Sequence, residues 1–169
     1  MALPSKLKNF NLFNDGNSYL GQVTELTLPK LTRKTEEYMA AGMTGKVEID
    51  YHNEKIELAW TAAGILVDAL KQFGALSHNA VQLRFSGGAV NDETGEVQTV
   101  EVVVRGRHKE IEMGTIKVGD KNETKYKTIC SYYKLTIDDE EIFEFDFING
   151  VEKIAGEDRN EAMRNALGV

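Results

Sequence analysis

Apolar and polar residues alternate along most of this chain with a period of two. In Lys46–Tyr51 the residues Val47, Ile49 and Tyr51 oppose Lys46, Glu48 and Asp50. In Lys55–Thr61 the residues Ile56, Leu58 and Trp60 oppose Lys55, Glu57 and Thr61. Successive side chains of a strand point to opposite faces, so each run reads as a strand with one dry and one wet face. With His52-Asn53 as the turn, the two together predict a hairpin over Lys46–Thr61. Further strands are predicted near Tyr19–Leu28 and over Val81–Ser86, Val97–Lys109 and Lys125–Ile137. A last one, Glu141–Ile148, sets Phe143, Phe145 and Phe147 against Glu144 and Asp146. Asn14-Asp-Gly16, Asn91-Asp-Glu-Thr-Gly95 and Asp138-Asp139 supply turn chemistry, and Met113–Glu123 reads as a polar tip between two long strands.

The period changes in two places. Leu66, Ala69, Leu70 and Phe73 repeat at helical spacing, with Thr61 as N-cap and Gly74 as stop. This predicts one long central helix whose apolar stripe covers a sheet. Asp158 with Glu161 has the spacing of a capping box before a short C-terminal helix, about Arg159–Leu167. Such a helix is marginal alone and must dock on something. The expected fold is mainly β: an antiparallel β-sandwich or barrel of roughly seven or eight strands, with one central helix and one terminal helix. Residues 1–169 read as a single domain, and the polar stretch Met1–Phe10 reads as an N-terminal arm.

The connection Pro29–Gly45 breaks the pattern. Pro29 ends the preceding strand because it has no N–H for a ladder. The cations Lys30, Arg33 and Lys34 then run into the anions Glu36 and Glu37, followed by Tyr38, Met39, a small-residue patch and Met43. A long connection of this kind inside a domain is functional or disordered. Its opposite charges suit contact between identical copies.

Composition narrows the function. The net charge of −7, with 20 Lys and Arg against 27 Asp and Glu, argues against a nucleic-acid grip. Apolar content of 41% and charged content of 28% fit a globular domain. The start lacks the apolar core of a signal peptide, and no apolar run is long enough to anchor the chain in a membrane. Cys130 is the only cysteine, and it reads as a small buried residue. No catalytic set emerges. His52, His78 and His108 are scattered without ligand spacing, so no metal site and no cofactor are expected. Gly42-Met-Thr-Gly-Lys46 looks like a phosphate loop, but its glycines are too close and Val47 stands where a magnesium-binding Ser or Thr belongs. Trp60 and the phenylalanine row read as core rather than a binding platform.

The segment Thr27–Tyr38 with Ala41-Gly-Met43 resembles the major tail tube protein of contractile-tailed phages and R-type bacteriocins. The resemblance resumes at Arg105-Gly-Arg107 with Lys109-Glu110, at Ser131–Leu135, at Ile148–Gly156, and at Asp158-Arg159, Arg164-Asn165 and Leu167-Gly168. It runs in order from Asn11-Leu-Phe13 to the C-terminus; over Asp50–Glu96 it extends only to the pattern of elements. It implies a non-enzymatic structural protein of the virion tail, assembled in the host cytoplasm as hexameric rings stacked into a hollow tube. Each subunit would lend about four strands to a ring-wide inner β-barrel. The implied partners are other copies, the sheath protein, the tape-measure, baseplate and terminator proteins, and double-stranded DNA in transit where the particle carries it. If the hairpins Lys46–Thr61 and Val97–Ile137 are those strands, Glu48, Asp50 and Glu57 face the lumen. Residues 29–45 would then form an extended intersubunit loop, with Lys30, Arg33, Lys34, Glu36, Glu37, Tyr38 and Met43 at the contact. Arg105 and Arg107, flanking Gly106, are further candidates for intersubunit ion pairs. Two other readings remain: a type VI secretion tube protein, which shares the fold, and a small β-rich ligand-binding module.

Overall fold

The computed structural model describes all of residues 1–169. In chain order its strands are β1 Ser5–Asn14, β2 Asn17–Ser18, β3 Val23–Thr27, β4 Arg33–Tyr38, β5 Val47–Asn53 and β6 Ile56–Ala63. Helix α1, Val67–Lys71, separates these from β7 Val81–Asn91, β8 Val97–Glu112, β9 Glu123–Ile137, β10 Glu140–Asp146, β11 Val151–Ile154 and β12 Glu157–Asp158, and α2 spans Glu161–Leu167. The fold is mainly β and antiparallel throughout. Ten strands make one sheet in the order β12-β11-β10-β9-β8-β7-β1-β2, with β6 and then β3 attached through β9. The remaining two, β4 and β5, pair only with each other.

Strand β9 is the branch point. One edge pairs with β8 along its length, while the other is shared, Glu123–Cys130 going to β6 and Tyr132–Ile137 to β10. A bulge at Ser131 makes the branch. Arg105 faces Tyr132, but the next residue, Gly106, faces Cys130. At that point the two backbones come so close that a Cβ on Gly106 would sit 1.7 Å from the Ile129 carbonyl oxygen. Only glycine fits there, although its φ is ordinary.

The sheet curls round one apolar core. Period two delivers Ile56, Leu58, Trp60 and Ala62 from β6, Val81, Leu83 and Phe85 from β7, Val102 and Val104 from β8, and Tyr126 and Cys130 from β9 to its inner face. Trp60 stacks on Tyr126 at 4.0 Å between ring centroids. The predicted hairpin β8–β9 and the turns at Asp15-Gly16, Asn91–Gly95 and Asp138-Asp139 all form.

Four local expectations are corrected. The hairpin Lys46–Thr61 does not exist: β5 pairs with β4, and β6 pairs with β3 and β9. Alternation defines a strand's faces but not its partner. The long central helix is short, and Thr61 is mid-strand rather than an N-cap, because β6 keeps its alternation through Ala62. Leu66, Ala69 and Leu70 do pack on the core, but Phe73 is exposed. Met1–Phe10 is not all arm, since Ser5 onward pairs with β7. The capping box is absent too. Asn160 is the N-cap of α2, and Asp158 instead accepts the Asn160 N–H at 3.0 Å and pairs with Arg164.

Candidate assembly surfaces

Two features of this fold are unfinished in a single chain. The first is a four-stranded antiparallel patch, β3-β6-β9-β8, made with the first half of β9 and the end of β8. Its inner face is core. Its outer face is polar and runs in cross-strand rows: Glu25–Thr61–Lys125–Glu112, then Thr27–Ala59–Lys127–Glu110. Glu57 faces Ile129 in the next row. In the first two rows the lysines sit on the inner strand β9 and the glutamates on the flanking strands β3 and β8, with Glu110 lying 3.7 Å from Lys127. Five glutamates (Glu25, Glu57, Glu110, Glu112, Glu123) against Lys125, Lys127 and Arg107 leave the face weakly acidic.

Both margins of this patch are bare. β3 pairs only with β6. β7 begins opposite Gly106, so β8 from Arg107 to Glu112 has no neighbour beyond β9. Unpaired N–H and C=O groups along such edges template another strand. The long sheet ends elsewhere in the two-residue strands β2 and β12, which offer little to pair with.

The second feature is the hairpin β4–β5, an arm with both faces in solvent. Tyr38 pairs with Val47 and Glu36 with Ile49. Tyr38, Val47, Ile49 and Tyr51 are each 41–55% exposed, an apolar row with nothing on it. The negative charge of Glu36 raises the Tyr51 pKa, which puts Glu36 on that row as well. On the other face Glu37 stands opposite Glu48, and Lys46 reaches Glu37 at 3.1 Å. Met43 is half-buried at the tip, its sulfur accepting the Ala40 N–H at 3.2 Å.

The sequence-predicted residues thus divide. Glu57 lies on the four-stranded patch, while Glu48 and Asp50 lie on the arm, so the three do not share a face. Arg33 is occupied within its own chain, by Asp50, Asn53 and Glu152. The Asp50 carboxylate, then Glu152, raises its pKa further. Lys30 and Lys34 are exposed. Arg107 donates to the Leu76 and Ser77 carbonyls at 3.1 Å each, pinning the loop before β7. Arg105 stacks its guanidinium on Tyr132, 4.3 Å from the ring centre. Glu25, Glu110 and Glu112 were missed as face residues. The signal for Glu110 and Glu112 was their own alternation with Ile111.

Comparison with known proteins now gives the class. The family model of phage tail tube protein FII matches residues 4–168. The chain belongs to this family and is a structural component of a tail tube. It is 42% identical over 172 residues to the tail tube protein of Escherichia phage P2, covering all of both chains. It is 34% identical over 176 residues to the major tail tube protein of Serratia phage KSP20, covering 100% of this chain and 99% of that one. In fold it is similar to the sheath/tube terminator of an extracellular contractile injection system, at a TM-score of 0.60 and 10% identity, covering 79% of this chain and 96% of the other. It is likewise similar to the tube-terminating cap of the anti-feeding prophage, at a TM-score of 0.60 and 11% identity, covering 81% and 93%.

Proposed function

We propose that this chain builds the inner tube of a contractile tail as stacked hexameric rings, and that the four-stranded patch is its share of the ring's inner barrel. The supporting observation is the pair of bare edges. In the order β3-β6-β9-β8 every neighbour is antiparallel, and the number of strands is even. The β8 margin of one copy therefore meets the β3 margin of the next in antiparallel sense, and closure of the ring leaves no edge exposed. The weakly acidic outer face then lines the lumen. Its glutamates neutralise Lys125 and Lys127, so a polyanion passes without gripping the wall. DNA is the cargo where the particle carries a genome, and ions pass where it is headless.

The arm gives the second contact. Its apolar row is covered by a neighbouring copy, in the same or the adjoining ring, and Glu36, Glu37, Lys30 and Lys34 edge that contact. The sheath wraps the outside, while tape-measure, baseplate and terminator proteins meet the lumen and the two ends. The work is mechanical rather than enzymatic, and the rings assemble in the host cytoplasm.

Cysteine pairs test the barrel. Thr27 and Glu110 of one copy are three strand spacings apart in their row, about 14 Å at ~4.8 Å per strand. That is too far for a disulfide within the chain. Cysteines placed pairwise at Glu25 or Thr27 and at Glu110 or Glu112 should give, under oxidation of assembled tubes, a ladder of linked subunits ending at six. Tubes in which none of these pairs links would remove the patch from the ring seam.

A further inference from the structure

The arm is joined to the body by two short chain connections, Leu28–Thr32 from β3 and Glu54-Lys55 to β6, and by little else. β4 and β5 share no ladder with the ten-stranded sheet. At their base the Glu54 N–H donates to the Thr32 carbonyl at 2.8 Å, closing the hairpin on itself rather than on the body. The one side chain that bridges the two parts is Arg33. Within the arm its Nε donates to both oxygens of Asp50 at 2.8 and 2.9 Å, and Nη1 lies 3.2 Å from the Asn53 side-chain oxygen. From the body it takes the carboxylate of Glu152, on β11. The guanidinium is thus stiffly held on the arm side and singly held on the body side. Glu152 is anchored in turn by the pairing of β11 with β10 and β12. Concave surface lies on both sides of the bridge, bounded by Phe143 and Leu31 on one and by Phe147 and Met163 on the other. The arm has room to turn either way.

We propose that Arg33–Glu152 is a latch that sets the angle at which the arm leaves the unassembled subunit, and that its release lets β4–β5 swing as one rigid piece. The inference rests on the arm being an assembly contact. It assigns Arg33 and Glu152 as positioning residues for that contact, whereas Asp50 keeps Arg33 aligned. A subunit with the latch closed presents the apolar row in one direction. With the latch open, the same row is spread over many directions and productive encounters are fewer. An ion pair of this exposure shifts such an equilibrium roughly twofold to fivefold.

The test uses the full chain below its assembly concentration. Nitroxides are placed at Thr44, in the arm tip, and Glu96, in the exposed β7–β8 turn. Native Cys130 is buried, and burial pushes its thiol up to about 12, so it stays unlabelled. Pulsed dipolar spectroscopy should give one narrow distance distribution for the wild type and a markedly broader one for Glu152→Gln. Amide exchange within β4–β5 should be unchanged, and Asp50→Asn should broaden the distribution less. Equal widths for wild type and Glu152→Gln would overturn the latch. So would loss of amide protection in the arm, because then the hairpin melts instead of swinging. Tube formation by Glu152→Gln is read separately, with a lag extended roughly twofold to fivefold expected. A broadened distribution with an unchanged lag keeps the latch but refutes the arm as an assembly contact.

Discussion

His108 makes the subunit acid-labile. The side chain is 4% exposed and closes a chain of polar groups through the core. Trp60 Nε1–H donates to the Thr128 hydroxyl at 3.3 Å, which donates to His108 Nδ1 at 2.9 Å. His108 Nε2–H then donates to Gln72 Oε1 at 3.1 Å. Gln72 and Asn14 exchange amide hydrogen bonds at 2.7 and 2.9 Å, and Asn14 also donates to the Tyr19 hydroxyl at 3.0 Å. Every donor meets an acceptor only if His108 is neutral. Burial accordingly lowers its pKa from 6.5 to about 4. The unfolded chain takes up the proton first, so stability is full above pH 6.5 and is lost as pH falls from there to about 4. A tenfold change in proton affinity is worth about 1.4 kcal/mol, giving about 3 kcal/mol in all and about 2 kcal/mol between pH 7 and pH 5. For a chain of this length that lowers the melting temperature by roughly 4–8 °C. The measurement is urea unfolding of monomeric protein at pH 7, 6 and 5, for wild type and His108→Gln. The variant starts from a lower stability, but its pH slope should be flatter by about 2 kcal/mol over that range. NMR titration of the His108 ring in the wild type gives an independent check. Parallel slopes, or a ring pKa near 6.5, would refute the argument. Asp158, held down to about 2 first by its hydrogen bond to Arg164, loses its contribution only as pH falls from 3.8 toward 2, outside this window.

Four other outcomes concern packing and the lumen. Gly106→Ala should cost roughly 4 kcal/mol or more, because the clash is with backbone and no rotamer relieves it, leaving little soluble folded protein. Gly88→Ala, with open space around its Cβ position, should change the unfolding free energy measured in urea by no more than about 0.5 kcal/mol. Cys130 should resist a thiol reagent in the folded subunit and react at once in denaturant; rapid labelling of native protein would show that the β9 branch opens. Glu110→Lys with Glu112→Lys should make this face net positive, because only Glu25, Glu57 and Glu123 then oppose its cations, so assembled tubes co-sediment with short duplex DNA at low salt and release it as salt rises; tubes that remain indifferent to DNA would separate this face from the lumen.

The sequence carried most of the strands and the β8–β9 pairing but hid the partners of β5 and β6, for a physical reason. Alternation is a local property and reads well in β7, β8 and β9, where inward residues are Val, Leu, Phe and Tyr and the turns between them carry Asn-Asp-Gly chemistry. Pairing depends on what the apolar face finds. Ile56, Leu58 and Trp60 find the core, whereas Val47, Ile49 and Tyr51 find none within the chain. Equal alternation therefore gives one core strand and one half of a free arm. The central helix failed similarly: Leu66, Ala69 and Leu70 mark a real apolar side, but little more than a turn is needed to cover it. His108 was legible only as a histidine in a strand. Its role depends on Thr128 and Gln72, far away in sequence.

What the chain leaves unburied is as specific as what it buries. A monomer whose purpose ended with itself would blunt the β3 and β8 edges with proline, a bulge turned outward or a covering loop. Here the register of β8–β9 shifts at Ser131 and at Lys109, and the stretch Arg107–Glu112 still has no neighbour beyond β9. The arm leaves Tyr38, Val47, Ile49 and Tyr51 in water at a cost that only a neighbour removes. Open edges at two sides of one patch would define a direction of addition round the proposed ring. An arm that belongs to neither sheet face is free to reach out of that plane. In the proposed tube, one chain supplies two kinds of contact between copies, one fixed by backbone ladders and one aimed by Arg33.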